Sequence, residues 1–88
     1  MAENLAVATG RRKTAVARAF LRQGTGVITV NEKTVDVYFP TPILASIVKS
    51  PLKVTSSEER FDAVLTVVGG GPAGQAEACR HAISRALT

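Results

Sequence analysis

Residues 14–22 alternate strictly between two kinds of side chain. Thr14, Val16, Arg18, Phe20 and Arg22 fall on one side, and Ala15, Ala17, Ala19 and Leu21 on the other. Period two over nine residues specifies a β-strand. The alanine side constrains the fold most. It is apolar and therefore buried, and its side chains are so small that a helix can cover it at close range. The opposite side carries Arg18 and Arg22 into solvent or onto a partner.

The other segments follow from the same periodicities. Residues 5–9 read as an edge strand leading into Gly10-Arg11-Arg12-Lys13. Gly24-Thr25-Gly26 is a turn signal, and residues 27–30 form the next strand, which predicts a hairpin with the alternating one. Asn31, Glu32 and Lys33 close that strand. Thr34 caps a short helix over 35–39, ended by Pro40. Thr41-Pro42 is an N-cap with proline at the first helical position. Ile43, Leu44, Ile47 and Val48 give the helical stripe, and Pro51 is expected to stop it. Residues 52–60 form a polar connector. Residues 61–68 alternate again, with Phe61, Ala63, Leu65 and Val67 facing the core. After the glycines, Ala76, Cys79, Ala82, Ile83, Ala86 and Leu87 share one side of a helix, and Glu77, Arg80, His81, Ser84 and Arg85 the other. The order β-β-β-α-α-β-α predicts a two-layer α+β domain. It has one mostly antiparallel four-stranded sheet with helices on one face, and its other face is open.

Eighty-eight residues make a single domain, 1–88, with residues 1–4 as a flexible lead. A chain of this length buries only about 60–65% of the surface its unfolded form exposes. The placement of charge says more than its amount. Arg11, Arg12, Lys13, Arg18 and Arg22 stand against Glu3 alone, so the whole net charge of +4 sits in the first 22 residues. The other 66 residues carry six groups of each sign. A clustered basic segment on a neutral domain fits a polyanionic partner. The plainer alternative is a solvated basic face. The single cysteine, Cys79, excludes an intrachain disulfide and fits a reducing compartment. No apolar run approaches the ~20 residues of a membrane span, and no secretory pattern opens the chain. The reading is a soluble intracellular monomer.

Two motifs carry chemistry. Residues 69–74 (Gly-Gly-Gly-Pro-Ala-Gly) satisfy the G-x-G-x-x-G pattern between a strand and a helix. A dinucleotide fold also needs a second parallel strand and an acidic residue about 20 positions on, and the sequence supplies neither. A glycine-rich helix entry nevertheless offers backbone N–H groups to a phosphate, which approaches closely where no Cβ intervenes. The alternative is a tight corner only. The second motif, Arg11-Arg12-Lys13, can reach successive phosphates. The remaining candidates predict no catalytic residues, metal or cofactor. His81 stands without a partner for metal binding. Cys79 reads as core, and Glu58 and Glu59 as a solvated loop.

Together these motifs resemble the small-subunit ribosomal protein S-nine family, bacterial type, over roughly residues 5–88. The resemblance rests on Gly69, Gly70, Gly71, Gly74, Gln75, Ala78, Arg80, His81, Ala82, Ile83, Arg85, Ala86 and Leu87, and on the opening block at 9–18. It implies a fold similar to the second domain of ribosomal protein S-five, with a left-handed βαβ crossover that departs from the usual hand. It implies a non-enzymatic constituent of the cytoplasmic or organellar ribosome that supports translation. The partners would be small-subunit rRNA of the head and neighbouring ribosomal proteins. Implied RNA contacts are Arg11, Arg12, Lys13, Arg18, Gly69, Gly70, Gly71 and Gln75, with Arg80, His81 and Arg85 from the helix.

Two positions depart from the family pattern. The family continues into a long basic tail that reaches P-site transfer RNA, whereas this sequence ends at Thr88, so that contact is expected of no residue here. Val68 stands where family members often carry a cation. Two competing readings remain beside the ribosomal one. One is a nucleotide-binding fragment built on the glycine loop, and the other a scaffold domain that folds but ignores RNA.

Overall fold

A computed structural model describes residues 5–55 and 60–87. The expected flexible lead at 1–4 lies outside the described residues, as do Glu58 and Glu59 of the connector. The elements are β1 (Ala6–Arg12), β2 (Ala15–Gln23), β3 (Ile28–Val30), β4 (Lys33–Thr34), α1 (Val35–Tyr38), α2 (Pro42–Val54), β5 (Phe61–Val68) and α3 (Pro72–Leu87). They form an α+β domain whose sheet runs β1-β2-β5-β3-β4. The β1–β2, β2–β5 and β3–β4 pairs are antiparallel, and β3 runs parallel to β5.

The sheet has five strands rather than the expected four. The extra one, β4, is two residues long and pairs back onto β3 through a turn at Asn31 and Glu32. Both turn residues have positive φ, 49° and 69°, the backbone required by a tight two-residue hairpin. Strand β1 is also longer than expected and continues through Arg11 and Arg12, because its ladder to β2 closes only at Arg12↔Ala15.

The expected hairpin between residues 14–22 and 27–30 does not form, because β5 lies between β2 and β3. Strand β5 offers β2 an eight-residue ladder, from Val16↔Val68 to Gln23↔Phe61, whereas β3 has only three residues to pair. The glycine turn is held instead by Asp62 on β5. Its Oδ1 accepts hydrogen bonds from the N–H groups of Thr25, Gly26 and Val27 at 3.0, 3.1 and 2.9 Å. Gly24 lies so close that a Cβ there would overlap the Asp62 carboxylate.

Helix α2 runs on through Pro51 to Val54. A proline inside a helix removes one N–H and leaves the carbonyl four residues back without its donor. Here that carbonyl belongs to Ile47, and the Ser50 hydroxyl donates to it at 2.8 Å. Pro51 is itself buried. Thr34 and Thr41 hold the N-cap positions of α1 and α2, but neither makes a side-chain cap hydrogen bond.

The core lies between the sheet and the helices. On β2, Ala15, Ala17, Ala19 and Leu21 point inward and are buried, as do Ala63, Leu65 and Val67 on β5. Phe61 packs against this core half-buried. Helix α3 answers with Ala76, Ala78, Cys79, Ala82 and Ile83. Burial pushes the Cys79 thiol up to about 12, which leaves it a small apolar residue at neutral pH.

The hydrogen bond from Val27, followed by those from Thr25 and Gly26, holds the Asp62 carboxyl below the usual carboxylate range against an opposing cost of burial. A depressed folded-state pKa stabilises the fold above the unfolded value of about 3.9, and that stability is lost as pH falls through the folded value. Asp62→Asn should therefore lower stability at pH 7 by about 1–2 kcal/mol. The gap from the parent chain should narrow below pH ~4. Denaturant titrations across that range test this, and a gap independent of pH would remove the carboxylate charge as the cause.

Candidate nucleic-acid interface

The close approach of β1 to α3 builds the site. Gly10 is buried, and a Cβ at this position would sit on the Ala78 carbonyl and the Ala82 amide. Only glycine lets the strand backbone lie directly on the helix backbone. The next two residues, Arg11 and Arg12, thereby stand beside the outer turns of α3. Together with Glu77, Arg80 and His81 they line an open groove of about 440 Å³. Arg80 donates from Nε to Glu77 Oε1 at 2.7 Å. Arg85, one turn further on, donates to the Thr9 carbonyl at 3.3 Å.

The β1–β2 turn joins the groove to the glycine loop. Lys13 sits at its tip with φ 56°. Gly69 (φ 79°) packs against the Thr14 carbonyl, and Gly70 (φ 65°) against Ala15. Both glycines are therefore required by backbone conformation and by close approach. Gly71 differs: a Cβ there would meet nothing within 4 Å. The free chain gives no steric reason for glycine at this position, which opens outward where α3 begins. Pro72 has no N–H, so the first helical amides to project beyond the helix end are those of Ala73 and Gly74.

A hydrogen-bonded chain holds this loop from beneath. Gln75 Nε2 donates to the Gly69 carbonyl at 3.0 Å, and Gln75 Oε1 accepts from the Tyr38 hydroxyl at 2.8 Å. The Tyr38 oxygen in turn accepts from Asn31 Nδ2 at 3.2 Å. Asn31 also grips Val67 on β5, donating to its carbonyl at 3.0 Å and accepting from its amide at 2.9 Å. Its side-chain amide thus extends the β3–β5 ladder one step past Val30↔Leu65.

A family model described as ribosomal protein S9/S16 matches residues 10–88. The chain belongs to this family. It is similar to small ribosomal subunit protein uS9 of Treponema pallidum strain Nichols, and equally to that of a second strain, of Treponema pallidum subsp. pallidum. Each is 52% identical over 85 residues. The matched region covers 97% of this chain and 66% of each relative, so the chain spans just under two thirds of their length.

The family match starts at Gly10 and so takes in the groove, the glycine loop and all of α3. The structure brings Arg11, Arg12, Arg80 and His81 together and sets Lys13 beside Gly69 and Gly70. Arg18 lies on the outward face of β2, where its guanidinium carbon is 5.7 Å from the Phe20 ring centroid. Gln75 is engaged at both ends of its amide by Tyr38 and Gly69. Sequence reasoning missed Gly10, Tyr38 and Asn31 as supports of the site. For Asn31 a signal was present, since asparagine favours positive φ and local hydrogen bonding. No group of three His, Cys, Asp or Glu among the described residues could hold a metal ion, and no described helix is long and apolar enough to cross a membrane.

Gly10→Ala should force β1 off α3 and lower Tm by about 10 °C or more, an overpacking cost on backbone that cannot move aside. A thermal melt checks this, and an unchanged Tm would mean that the strand–helix contact yields without cost.

Proposed function

We propose that this chain is a non-enzymatic structural constituent of the small ribosomal subunit that binds rRNA of the subunit head and supports translation. Neighbouring ribosomal proteins complete its surroundings in a cytoplasmic ribosome. The observation that carries the reading is the convergence of Arg11, Arg12, Arg80 and His81 on one groove beside an outward-opening glycine loop, in a chain of the ribosomal protein S9/S16 family.

The proposed contacts are of two kinds. Arg11, Arg12, Lys13 and Arg80 neutralise and position backbone phosphates, His81 adds a polar contact beside them, and Arg18 and Arg85 extend the basic surface. Gly71 and the first amides of α3 receive a phosphate at close range. Gly69, Gly70 and Gln75 shape the loop that presents those amides. Selectivity comes mainly from the shape of the folded RNA. The single domain spans 1–88. The parallel β3–β5 pair, bridged by α1 and α2, supports a crossover connection; its left hand and its likeness to the second domain of ribosomal protein S-five are proposed on the family resemblance alone.

Binding of this chain to a transcript of the small-subunit rRNA 3′ major domain, against an unrelated RNA of equal length, tests the reading. One phosphate contact from each of Arg11, Arg12, Lys13 and Arg80 corresponds to a slope of log affinity against log salt of roughly −3 to −4. Replacing Arg11 and Arg12 together by alanine should weaken binding and make the slope shallower by roughly 1.5–2. An unchanged slope would exclude the pair from the site. Gly71→Ala should melt like the parent chain yet bind RNA more weakly. Full binding by that variant would show that no phosphate approaches the loop there.

A further inference from the structure

The sheet face turned away from the helices is covered by no described element. Phe20 on β2 stands between Val7 on β1 and Val64 on β5. Arg18 stands one row further on and stacks beside the Phe20 ring. At one margin lie Arg11 and Val68. Val7 is 49% exposed and Val68 69%, values too high for a face that another part of the described chain screens.

The charge on this face is one-sided. Strands β1, β2 and β5 contain a single carboxylate, Asp62, and it is committed to three backbone N–H groups at the far end of β5. Arg11 and Arg18 are therefore unopposed by acid across the middle of the sheet. A cationic, gently twisted surface with one aromatic ring and one guanidinium plane at its centre suits an anionic strand whose bases are free to stack. A duplex hides its bases from such a surface.

We propose that this open sheet face takes an unpaired segment of RNA, with bases stacking on Phe20 and on the Arg18 guanidinium, and with the backbone led across Arg11 into the groove. The proposal rests on the RNA-binding reading above and adds a second, chemically distinct subsite to it. The groove contacts phosphates, whereas the sheet face contacts base planes. Arg11 belongs to both.

The test compares a fluorescently labelled, unstructured oligoribonucleotide with a duplex of the same length, using the 88-residue chain. Phe20→Ala should weaken single-strand binding roughly 5- to 150-fold, the range for loss of one stacked base. Duplex affinity and the single-strand salt slope should stay unchanged, since no phosphate contact is lost. Phe20→Tyr, which keeps the ring, should restore single-strand binding. Arg18→Gln should weaken it in its own right, a reading that survives if Phe20→Ala fails to fold. Irradiation of a 5-bromouridine-containing strand should crosslink it within residues 19–22. Single-strand affinity indifferent to Phe20 and Arg18, or equal losses for duplex and single strand, would overturn the proposal while leaving the groove as an RNA site. Failure of the parent chain to bind the single strand while it binds the 3′ major domain transcript would overturn the stacking proposal alone, and failure to bind any of these RNAs would overturn both readings. A dimer in sedimentation that Phe20→Ala dissolves would assign the face to a second copy of the chain and overturn the stacking proposal alone.

Discussion

The contact between small residues on the sheet and small residues on α3 sets the geometry of everything else. Ala15, Ala17 and Ala19 on β2, with Gly10 on β1, meet Ala76, Ala78 and Ala82. Short side chains bring two backbones within direct van der Waals range, where many weak contacts add. They also bury little apolar area each, so this seam contributes less hydrophobic stabilisation than a leucine-rich one would. The remainder comes from the opposite side of the domain. There Phe39, Val30, Val48 and Leu52 fill a thicker core between β3, α1 and α2. Small side chains thus line the core where the cations lie, and large ones line it at the other end of the sheet. The close approach at Gly10 lets arginines from a strand and a helix share one groove.

The end of the sheet with the large side chains depends on polar clamps. A parallel ladder of three residues is weak by itself, and β3 has no more than that. Side chains bracket it at both ends. Asp62, near the start of β5, takes the amides that lead into β3, and Asn31, just past β3, takes both backbone groups of Val67 near the end of β5. The second clamp continues through Tyr38 and Gln75 to the Gly69 carbonyl. The placement of the short strand and the shape of the glycine loop are thus one hydrogen-bonded problem, solved by four side chains from four parts of the chain.

Much of this was legible in the sequence, and the failures share a cause. β2, β5 and α3 declare themselves by period, because each has one face against the core along its whole length. The hairpin expectation failed because a Gly-Thr-Gly turn reports only that the chain bends, whereas pairing is decided by which strand offers the longest buried ladder. Pro51 misled for a similar reason. Its usual effect is local, and it was cancelled by one hydroxyl, on Ser50, that the sequence does not mark as a helix repair. Strand β4 was too short to show a period at all. In the site, the cations were visible as charge, but their convergence with Arg80 and His81 was not. It depends on Gly10 being pressed against a helix at the far end of the chain, a relation that no local pattern encodes.

The glycine loop shows why such a site gains from this indirect support. Glycine loses more conformational freedom on ordering than any other residue. Three in a row would make a loop that ordered only at the moment of binding and bound correspondingly weakly. Here Gly69 and Gly70 are fixed against the β1–β2 turn, and Gln75 holds the Gly69 carbonyl from below. The entropy loss falls in the folding step, where it is offset by hydrogen bonds and packing that are complete in the free chain. Gly71 alone is left facing open space, free of side-chain bulk and already in place. Gln75, one of the RNA contacts that the family resemblance implied, spends its side-chain amide on Tyr38 and on the Gly69 carbonyl, and so makes its neighbour rigid.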